Sequence, residues 1–429
     1  MNKYKKNLLY LASNRSLMVF CGGLFTVFLA QNLSEKQFGE FSLAQALILV
    51  GISVSAFGME GVVNQKAAKD QFDGFNAWFH AFIMQLVLSI FSVALIYIML
   101  FKLNIYSELK YFFILFIAPL IIIRSTLSVK YYFDGIAHAG SYSLMENIIL
   151  TIGFSVKILF LSLSVSMSFI LLAFVVEALL IGLLLLAKIY RQHPSILTLQ
   201  KIEFISLIKT SFPFFISGLA VILYIRMDIA FVEYFIGFEA VGNYALASRL
   251  VEIFYIVPSI YISAKITKIV MLYEGSQESF KLHLNVVNST LFYSALILSI
   301  AIMLVSDKVI SFVFKGKYTD AYSIVNILCF SLIPVFCGNI VGRFFLLKGR
   351  PWLILINTFC GLGCNFFLNF ILVPIYGVQG AAFSTVASQI FSNFIINLFS
   401  SCGRELFNAQ LSGILTPKKI VKEIMYFRG

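Results

Sequence analysis

The chain has 429 residues, of which 60% are hydrophobic and only 12% are charged, whereas a typical soluble domain has about 25% charged residues. A water-soluble fold is excluded, because its interior is too small to hide so much apolar surface. The net charge of +12 comes from Lys and Arg in short segments between apolar stretches. This excludes a basic nucleic-acid-binding face and is typical of the cytoplasmic loops of membrane proteins.

Apolar stretches of helical length follow one another along the whole chain. They lie near residues 9–31, 38–62, 76–100, 111–133, 142–164, 168–188, 209–234, 241–264, 287–305, 322–345, 353–374 and 378–400. Because about 20 residues of helix cross ~30 Å of hydrocarbon, we predict an all-α integral membrane protein with twelve transmembrane helices. Arg15 interrupts the first stretch and no small-residue cleavage site follows, so we expect an uncleaved first helix.

The Lys and Arg residues between the spans predict the orientation of the chain. An even number of spans places both termini on one side, and most of the positive charges outside the spans fall on that side. Cytoplasmic loops carry such an excess, so we expect cytoplasmic N- and C-termini in the inner membrane of a bacterium.

An internal repeat suggests two halves. The segment FGEFSLAQAL begins at Phe38 and VGNYALASRL begins at Val241, an offset of 241 − 38 = 203 residues. Six-helix halves repeated in one orientation are an architecture of secondary transporters, with the substrate path between the lobes. We predict an N-terminal lobe at 1–188, a linker at 189–208, a C-terminal lobe at 209–400 and a cytoplasmic amphipathic tail at 401–429. In the tail, a helix from Thr416 is expected to lie on the membrane surface.

Cysteine and histidine residues give no sign of a metal site. The six cysteines are Cys21, Cys329, Cys337, Cys360, Cys364 and Cys402, with no CxxC pair and no histidine at metal-ligand spacing. We interpret them as small hydrophobic residues and expect neither a metal nor a cofactor.

Two segments resemble a known family. One is RMDIAFVEYFIGFEAVGNYALASRLVEIFYIVP from Arg226, and the other is NFFLNFILVPIYGVQGAAFSTVASQ from Asn365. In the first, the matching positions are Arg226, Asp228, Gly242, Tyr244, Ala247, Arg249, Glu252 and Pro258. The pattern resembles the polysaccharide transporter family, the Wzx-type flippases of O-antigen and capsule repeat units.

The resemblance implies a fold and a substrate class. The wider multidrug, oligosaccharidyl-lipid and polysaccharide exporter superfamily has two MATE-like six-helix bundles that open alternately to either side of the membrane. Relatives that flip the peptidoglycan precursor usually have fourteen helices, so about twelve spans argue against that role.

Arginines within the spans are the candidate substrate-binding residues. Charges in hydrocarbon cost at least ~2.5 kcal/mol each, so they normally face a bundle interior or a hydrated cavity. Arginine binds phosphate oxygens with two parallel hydrogen bonds and stays charged, which suits a pyrophosphate-bearing substrate. The candidates for a cationic cavity are Arg15, Arg124, Arg226, Arg249 and Arg343. Snorkelling to the headgroups is the alternative for Arg15, Arg124 and Arg343.

Carboxylates within the spans allow two interpretations, ion pairing or coupling to a proton or sodium gradient. The carboxylates concerned are Glu60, Glu146, Glu177, Asp228 and Glu252, and Lys157 is the cation considered with them. Lys157 and Glu177 reach similar depths on consecutive helices, so a structural ion pair and a coupling role both remain open. Arg249 and Glu252 could pair at a spacing of three residues.

A polar stripe marks the eleventh span. Asn357, Gly361, Asn365 and Asn369 recur every four residues. Such a stripe is typical of close helix packing, and contact with sugar hydroxyls is the alternative.

We therefore expect a flippase that moves undecaprenyl-pyrophosphate-linked oligosaccharide repeat units across the inner membrane, for O-antigen, capsule or exopolysaccharide synthesis. The expected partners are the lipid-linked oligosaccharide, membrane lipids, and a polysaccharide polymerase and chain-length regulator, with no nucleic acid. The alternatives are a cation-coupled multidrug exporter and a membrane polymerase or ligase. The enzyme is disfavoured because every predicted outer loop is short.

Overall fold

The computed structural model describes residues 3–102, 109–193 and 200–415. Within these ranges the chain is helical throughout and contains no β-strand. The helices are α1 Lys3–Asn32, α2 Glu35–Ala56, α3 Met59–Lys69, α4 Gln71–Lys102, α5 Lys110–Gly135, α6 Gly140–Ser162, α7 Met167–Gln192, α8 Lys201–Phe235, α9 Phe238–Gly275, α10 Gln277–Phe314, α11 Ala321–Leu347, α12 Trp352–Tyr376, α13 Val378–Phe399 and α14 Ser401–Leu415.

Twelve of these helices are long and apolar enough to cross a membrane, and only α3 and α14 are not among them. The prediction of a twelve-span, all-α membrane protein is confirmed. Several helices exceed the apolar stretch that predicted them; the ninth span, expected at 287–305, is Gln277–Phe314. Its polar start is stabilised by Ser276, whose side chain accepts a hydrogen bond from the Ser279 amide. Hydropathy therefore finds the part of a helix that lies in lipid and misses its polar ends.

The second span is shorter than predicted. The apolar stretch continues to residue 62, yet the helix ends at Ala56, and Phe57 and Gly58 adopt φ angles of 46° and 66°. A side chain at Gly58 would lie 2.5 Å from the backbone nitrogen of Phe215. The turn at this crowded point requires glycine, and it places Glu60 on the short helix α3 rather than within a span.

By its internal contacts the chain divides into two compact units. The first contains the residues up to Ser34 and Glu40–Leu223, and the second contains Glu35–Gly39 and the residues from Tyr224 onward. The boundaries therefore fall inside α2 and α8. The described residues of the predicted linker at 189–208 all precede the boundary in α8, and residues 194–199 of that linker lie outside the described ranges.

The core of the first unit is aromatic. Trp78, Phe75, Tyr132 and Phe133 are each at most 1% exposed. The Trp78 indole stacks on Phe75 at 5.5 Å and donates a hydrogen bond of 3.2 Å to the Ser128 hydroxyl. This core fixes α4 against α5, and both helices contribute to the cavity described below.

In the second unit, the repeat predicted from sequence appears as a reciprocal contact. A side chain at Gly39 would lie 2.0 Å from the Phe238 carbonyl oxygen, and one at Gly242 would lie 2.2 Å from the Glu35 carbonyl oxygen. The two contacts are related by the same offset, since 242 − 39 and 238 − 35 both equal 203. Only glycine allows the helix starts to approach so closely, and equivalent residues of the two repeats therefore make equivalent contacts.

The last described helix, α14, packs against α10 within the second unit. The Gly413 position of α14 lies against the Asn285 carbonyl oxygen of α10, and the Tyr293 hydroxyl donates a 2.8 Å hydrogen bond to the Ile414 carbonyl. Lys348 and Glu405 add an ion pair of 2.8 Å. The amphipathic helix predicted from Thr416 lies outside the described residues.

Candidate functional site

Charged residues from distant parts of the sequence meet inside the first unit. Glu146 of α6 is 1% exposed and forms an ion pair with Lys130 of α5. The Asn14 amide of α1 donates hydrogen bonds to Glu146 at 3.2 Å and to the Asn147 side chain at 2.9 Å. A buried carboxylate needs such partners, because hydrocarbon does not solvate its charge.

An ion pair was one of the two interpretations considered for Lys157 and Glu177, and the structure contains this contact. The Lys157 ammonium lies 2.8 Å from a Glu177 oxygen, and the side chains are 7% and 12% exposed. The ammonium also lies 4.0 Å from the ring centre of Phe174. Glu177 rests against Gly153, where no side chain competes for the space. The geometry is that of a well-packed ion pair between α6 and α7.

A polar cavity of about 280 Å³ lies within the first unit. We name it the polar cavity, and its charged lining residues are Arg15, Glu60, Arg124, Lys130 and Asp134. Lys130 pairs with Glu146, and Asp134 accepts a 2.5 Å hydrogen bond from the Tyr142 hydroxyl.

Two arginines of this cavity are available to a ligand. No carboxylate of the described residues lies within 4 Å of the Arg15 or Arg124 guanidinium. Both side chains are exposed, and Arg124 nevertheless has Glu146 and Glu177 among its electrostatic neighbours. Arg124 therefore reaches into an accessible space inside the unit, as a cavity-lining cation would.

An apolar cavity of about 300 Å³ adjoins the polar one. The two share Met18, Ile52, Arg124 and Leu127. Most of the other lining residues of the second are Leu, Ile or Phe, with Glu146 and Glu177 at its polar edge. We name it the apolar cavity. Arg124 thus lies at the boundary between the polar cavity and the apolar cavity.

The candidate arginines of the second unit are differently placed. The Arg226 guanidinium donates two hydrogen bonds of 3.3 Å to the two carboxylate oxygens of Glu252. The pairing of Glu252 considered from sequence was with Arg249, on its own helix, but the ion pair in the structure is with Arg226 of α8. Arg249 instead lies over the Phe38 ring at 5.6 Å. Helix α8 supplies the better geometry because its arginine approaches Glu252 side by side.

Asp228 is buried among neutral hydrogen-bond donors. It is 3% exposed and accepts bonds of 2.8 Å from the Tyr244 hydroxyl, 2.6 Å from the Thr385 hydroxyl and 2.6 Å from the Asn369 amide. No Lys or Arg of the described residues lies within 4 Å of its carboxylate. The carbonyl oxygen of the Asn369 amide is buried and has no hydrogen-bond partner there.

This arrangement suits a small cation. A carboxylate with hydroxyl groups beside it offers hard oxygen ligands to such a cation, and protonation of Asp228 would satisfy the same site. A small chamber of about 40 Å³ opens beside Asp228 and also contacts Tyr224, Arg226, Glu252 and Gln389. We name it the Asp228 chamber. Among the described residues no cluster of three or more His, Cys, Asp or Glu could hold a metal ion.

The remaining predicted residues are accounted for as follows. Glu60 lines the polar cavity from α3, whereas Arg343 is exposed on α11. Lys130 and Asn14 were not predicted as site residues, although Lys130 lies six residues after Arg124 on the same predicted span. Asn365 and Asn369 were predicted only as part of a polar stripe, with no expected contact to Asp228.

The chain is similar in fold to three solved transporters. A multidrug resistance MATE family transporter of the MOP superfamily, in its inward-facing conformation, superposes with a TM-score of 0.68 at 13% identity, covering 94% of this chain and 99% of the other. The lipid II flippase MurJ, in an inward closed conformation, gives 0.64 at 15% identity over 98% and 93% of the two chains. A MOP superfamily transporter from Pyrococcus furiosus gives 0.61 at 14% identity over 96% and 97%.

Sequence comparison identifies the family. Among curated proteins no sequence matches this chain. The family model described as polysaccharide biosynthesis protein matches residues 4–266, well over half of the 429 residues. Together with the twelve spans and the MOP-type fold, this match shows that the chain is a multi-pass membrane protein of the polysaccharide biosynthesis protein family.

Proposed function

We propose that the protein is a flippase for oligosaccharide repeat units linked to a polyprenyl pyrophosphate such as undecaprenyl pyrophosphate. The observation that carries the proposal is that Arg15 and Arg124 line the polar cavity and that no carboxylate of the described residues lies within 4 Å of either guanidinium. A family named for polysaccharide biosynthesis and a fold similar to that of a lipid II flippase support it.

The polar cavity and the apolar cavity match the two parts of such a substrate that adjoin each other at its phosphates, the charged sugar-phosphate headgroup and the apolar polyprenyl chain. Moving a pyrophosphate through hydrocarbon without partners is prohibitive, whereas charge-assisted hydrogen bonds from arginine replace its water. The polar cavity offers amides, hydroxyls and charges to the phosphates and the first sugar. The apolar cavity offers Leu, Ile and Phe side chains next to Arg124, where the first isoprene units would adjoin the phosphates. Alternating access then carries the headgroup across without covalent chemistry.

Transport in proteoliposomes tests the proposal directly. The substrate is a fluorescent sugar on a short-chain polyprenyl pyrophosphate, and flipping is read by its accessibility to an impermeant quencher. We expect Arg124→Ala to slow flipping about tenfold to a hundredfold, because a hydrogen bond to a charged group contributes roughly 1.5–3 kcal/mol.

Two further variants serve as controls for Arg124→Ala. Arg124→Lys should retain part of the rate, since it keeps the charge and loses the two-pronged geometry. Arg404→Ala removes an exposed arginine of α14 and should leave the rate unchanged. Wild-type transport by Arg124→Ala would contradict the proposed substrate site.

We propose further that Asp228 couples transport to a proton or sodium gradient. Its burial among neutral donors supports this, because a carboxylate in that setting is satisfied either by a proton or by a bound monovalent cation. Asp228→Asn keeps the size and shape of the side chain and removes the exchangeable charge, while one acceptor oxygen becomes an N–H donor. Flipping by the wild type should accelerate under an imposed gradient of the coupling ion, and flipping by Asp228→Asn should not respond. Equal rates with and without either gradient in the wild type would refute coupling.

The cellular setting follows from the same proposal. The protein would lie in the inner membrane of a bacterium with cytoplasmic termini and would supply a polysaccharide polymerase and a chain-length regulator with O-antigen, capsule or exopolysaccharide repeat units. A deletion strain should accumulate the unflipped intermediate and lose surface polysaccharide. Increased drug susceptibility with intact polysaccharide would instead indicate the multidrug exporter.

A further inference from the structure

A line of hydrogen bonds, made by polar side chains and one backbone carbonyl, runs through the interior of the second unit. From Asp228 the hydrogen bonds pass to Asn369 at 2.6 Å, and Asn369 donates to the Asn365 side chain at 3.2 Å. Asn365 donates to the Ser388 hydroxyl at 3.3 Å, and Ser388 accepts from the Tyr224 hydroxyl at 3.4 Å.

From Tyr224 the line of hydrogen bonds continues toward the C-terminal end of α13. The Tyr224 hydroxyl also contacts Ser392 at 3.4 Å, and the Asn393 amide donates to Ser392 at 3.3 Å. The Asn397 amide donates to the backbone carbonyl oxygen of Asn393 at 2.8 Å, and its side-chain oxygen accepts from the Asn357 amide at 2.9 Å.

The line spans much of the thickness of a bilayer. We call the end of the bundle where α12 begins and α13 ends the near end, and the opposite end the far end. Asn357 and Asn369 are twelve residues apart on α12, which is about 18 Å along a helix. Asp228 lies seven residues before the end of α8, about 10 Å from the far end. The polar line therefore leads from the Asp228 site toward the near end.

Two cavities lie along this line, and the side chains of Tyr224 and Gln389 lie between them. The Asp228 chamber has a volume of about 40 Å³. A second pocket of about 160 Å³ is lined by Gly338, Asn357, Thr358, Ser392 and Asn393, and we name it the amide pocket. Tyr224 and Gln389 line both spaces. A water molecule needs roughly 15 Å³ of such space with polar partners, so both cavities have room for water.

The polar lining exceeds what helix packing needs. Serine and glycine alone allow helices to approach closely, as Gly361 does where a side chain would lie 2.7 Å from Ser392. The amide pocket instead presents the side chains of Asn357, Gln389 and Asn393, whose oxygens and N–H groups would be costly against a dry void.

We propose that the Asp228 chamber and the amide pocket are two parts of one hydrated passage, with Tyr224 and Gln389 as the partition between them. The passage would carry the proton or monovalent cation of the Asp228 site to or from the near end. This rests on the proposed coupling role of Asp228. Neutral amides and hydroxyls suit the task, because they replace the water around a small cation without trapping it as a second carboxylate would.

The test measures access by thiol chemistry and needs no transported substrate. Ser392→Cys places a thiol in the amide pocket, and Ag⁺ serves as the probe because it is a small monovalent cation that reacts with thiolates. Vesicles of either orientation are exposed to Ag⁺, which blocks an accessible thiol, and the thiols that remain free are then alkylated. Peptide mass spectrometry measures how much of residue 392 was protected from alkylation. Because it reads this residue by itself, the native cysteines can remain. Phe367→Cys is the control, since Phe367 is 66% exposed on an apolar face of α12.

We expect Ser392→Cys to react from the near end at least tenfold faster than Phe367→Cys. Asn393→Cys repeats the measurement if Ser392→Cys does not fold. A rate as slow as that of the control from both sides would overturn the proposal and indicate a dry packing stripe. Reaction from the far end alone would overturn it as well.

A second pair of variants tests the partition. Ser248 lines the Asp228 chamber, so Ser248→Cys reports on the space beyond Gln389. Adding Gln389→Ala should speed its reaction from the near end at least tenfold and leave that of Ser392→Cys unchanged. No change at residue 248 would overturn the partition. Since these rates do not depend on flipping, a protein with an open passage and no gradient response would refute coupling alone.

Discussion

The ion pair between Lys157 and Glu177 supports a quantitative prediction. Both side chains are nearly buried, at 7% and 12% exposure, so little solvent screening reduces their interaction. Removing one partner of a buried pair costs about 3–5 kcal/mol, mainly because the other charge is left unpaired. For Lys157→Met we expect about 3 kcal/mol, the lower end of that range, because Arg124 is a second cation near Glu177.

The opposite substitution is expected to cost less. Glu177→Gln leaves the Lys157 ammonium over the Phe174 ring at 4.0 Å, and a desolvated cation–π contact contributes roughly 2 kcal/mol. We therefore expect a loss of about 2 kcal/mol for Glu177→Gln. The double variant should lose about 3 kcal/mol, which leaves a coupling energy of about 2 kcal/mol between the two sites.

The assay is unfolding of the purified protein in mixed micelles by titration with sodium dodecyl sulfate. Free energies of unfolding for the wild type, both single variants and the double variant complete the cycle. Additivity of the single effects within about 0.5 kcal/mol would refute the reasoning. Flipping by the folded double variant separates the two interpretations of the pair, since a purely structural pair predicts retained transport and a coupling role predicts its loss.

Three further predictions concern stability. Gly242→Ala should cost about 1–3 kcal/mol by overpacking against the Glu35 carbonyl, whereas Gly363→Ala, with nothing within 4 Å of the new methyl, should be neutral or slightly stabilising in the same titration. Burial lowers the pKa of His193 below its usual 6.5, so as the pH falls the unfolded chain binds a proton at this residue before the folded protein does. The contribution of His193 to stability should therefore be constant above about pH 6.5 and decrease below it, and His193→Gln should flatten a plot of unfolding temperature against pH. Trp78→Phe should cost about 2 kcal/mol through lost packing and the lost hydrogen bond to Ser128, measured by the same unfolding titration.

Much of the fold could be predicted from sequence because the bilayer imposes a simple rule on each span. About 20 apolar residues are needed wherever a helix crosses, and this gave all twelve spans. The depth match of Lys157 and Glu177 was also predictable, since a fixed rise per residue and a short connection determine it. The break at Phe57 and Gly58 was not, because hydropathy continues unchanged across the turn.

The candidate sites were harder to predict because they depend on which helix faces meet. Asn14 and Glu146 are 132 residues apart, and nothing local marks them as neighbours. Asp228 and Asn369 are 141 residues apart, so the stripe on α12 could be seen from sequence but not its contact with a carboxylate. Glu252 likewise pairs with Arg226 of another helix rather than with Arg249 of its own, because the sequence does not show which helix faces meet.

The position of Lys157 and Glu177 on consecutive helices also bears on biogenesis. Each charge alone adds roughly 2.5–3.5 kcal/mol to the free energy of inserting its segment from the translocon into lipid. Only the residues from Leu163 to Ser166 separate α6 from α7, so the two segments can leave the translocon together as a hairpin. Partnered in that hairpin, the two charges would enter the membrane as a neutral pair and would not depend on a partner from another helix.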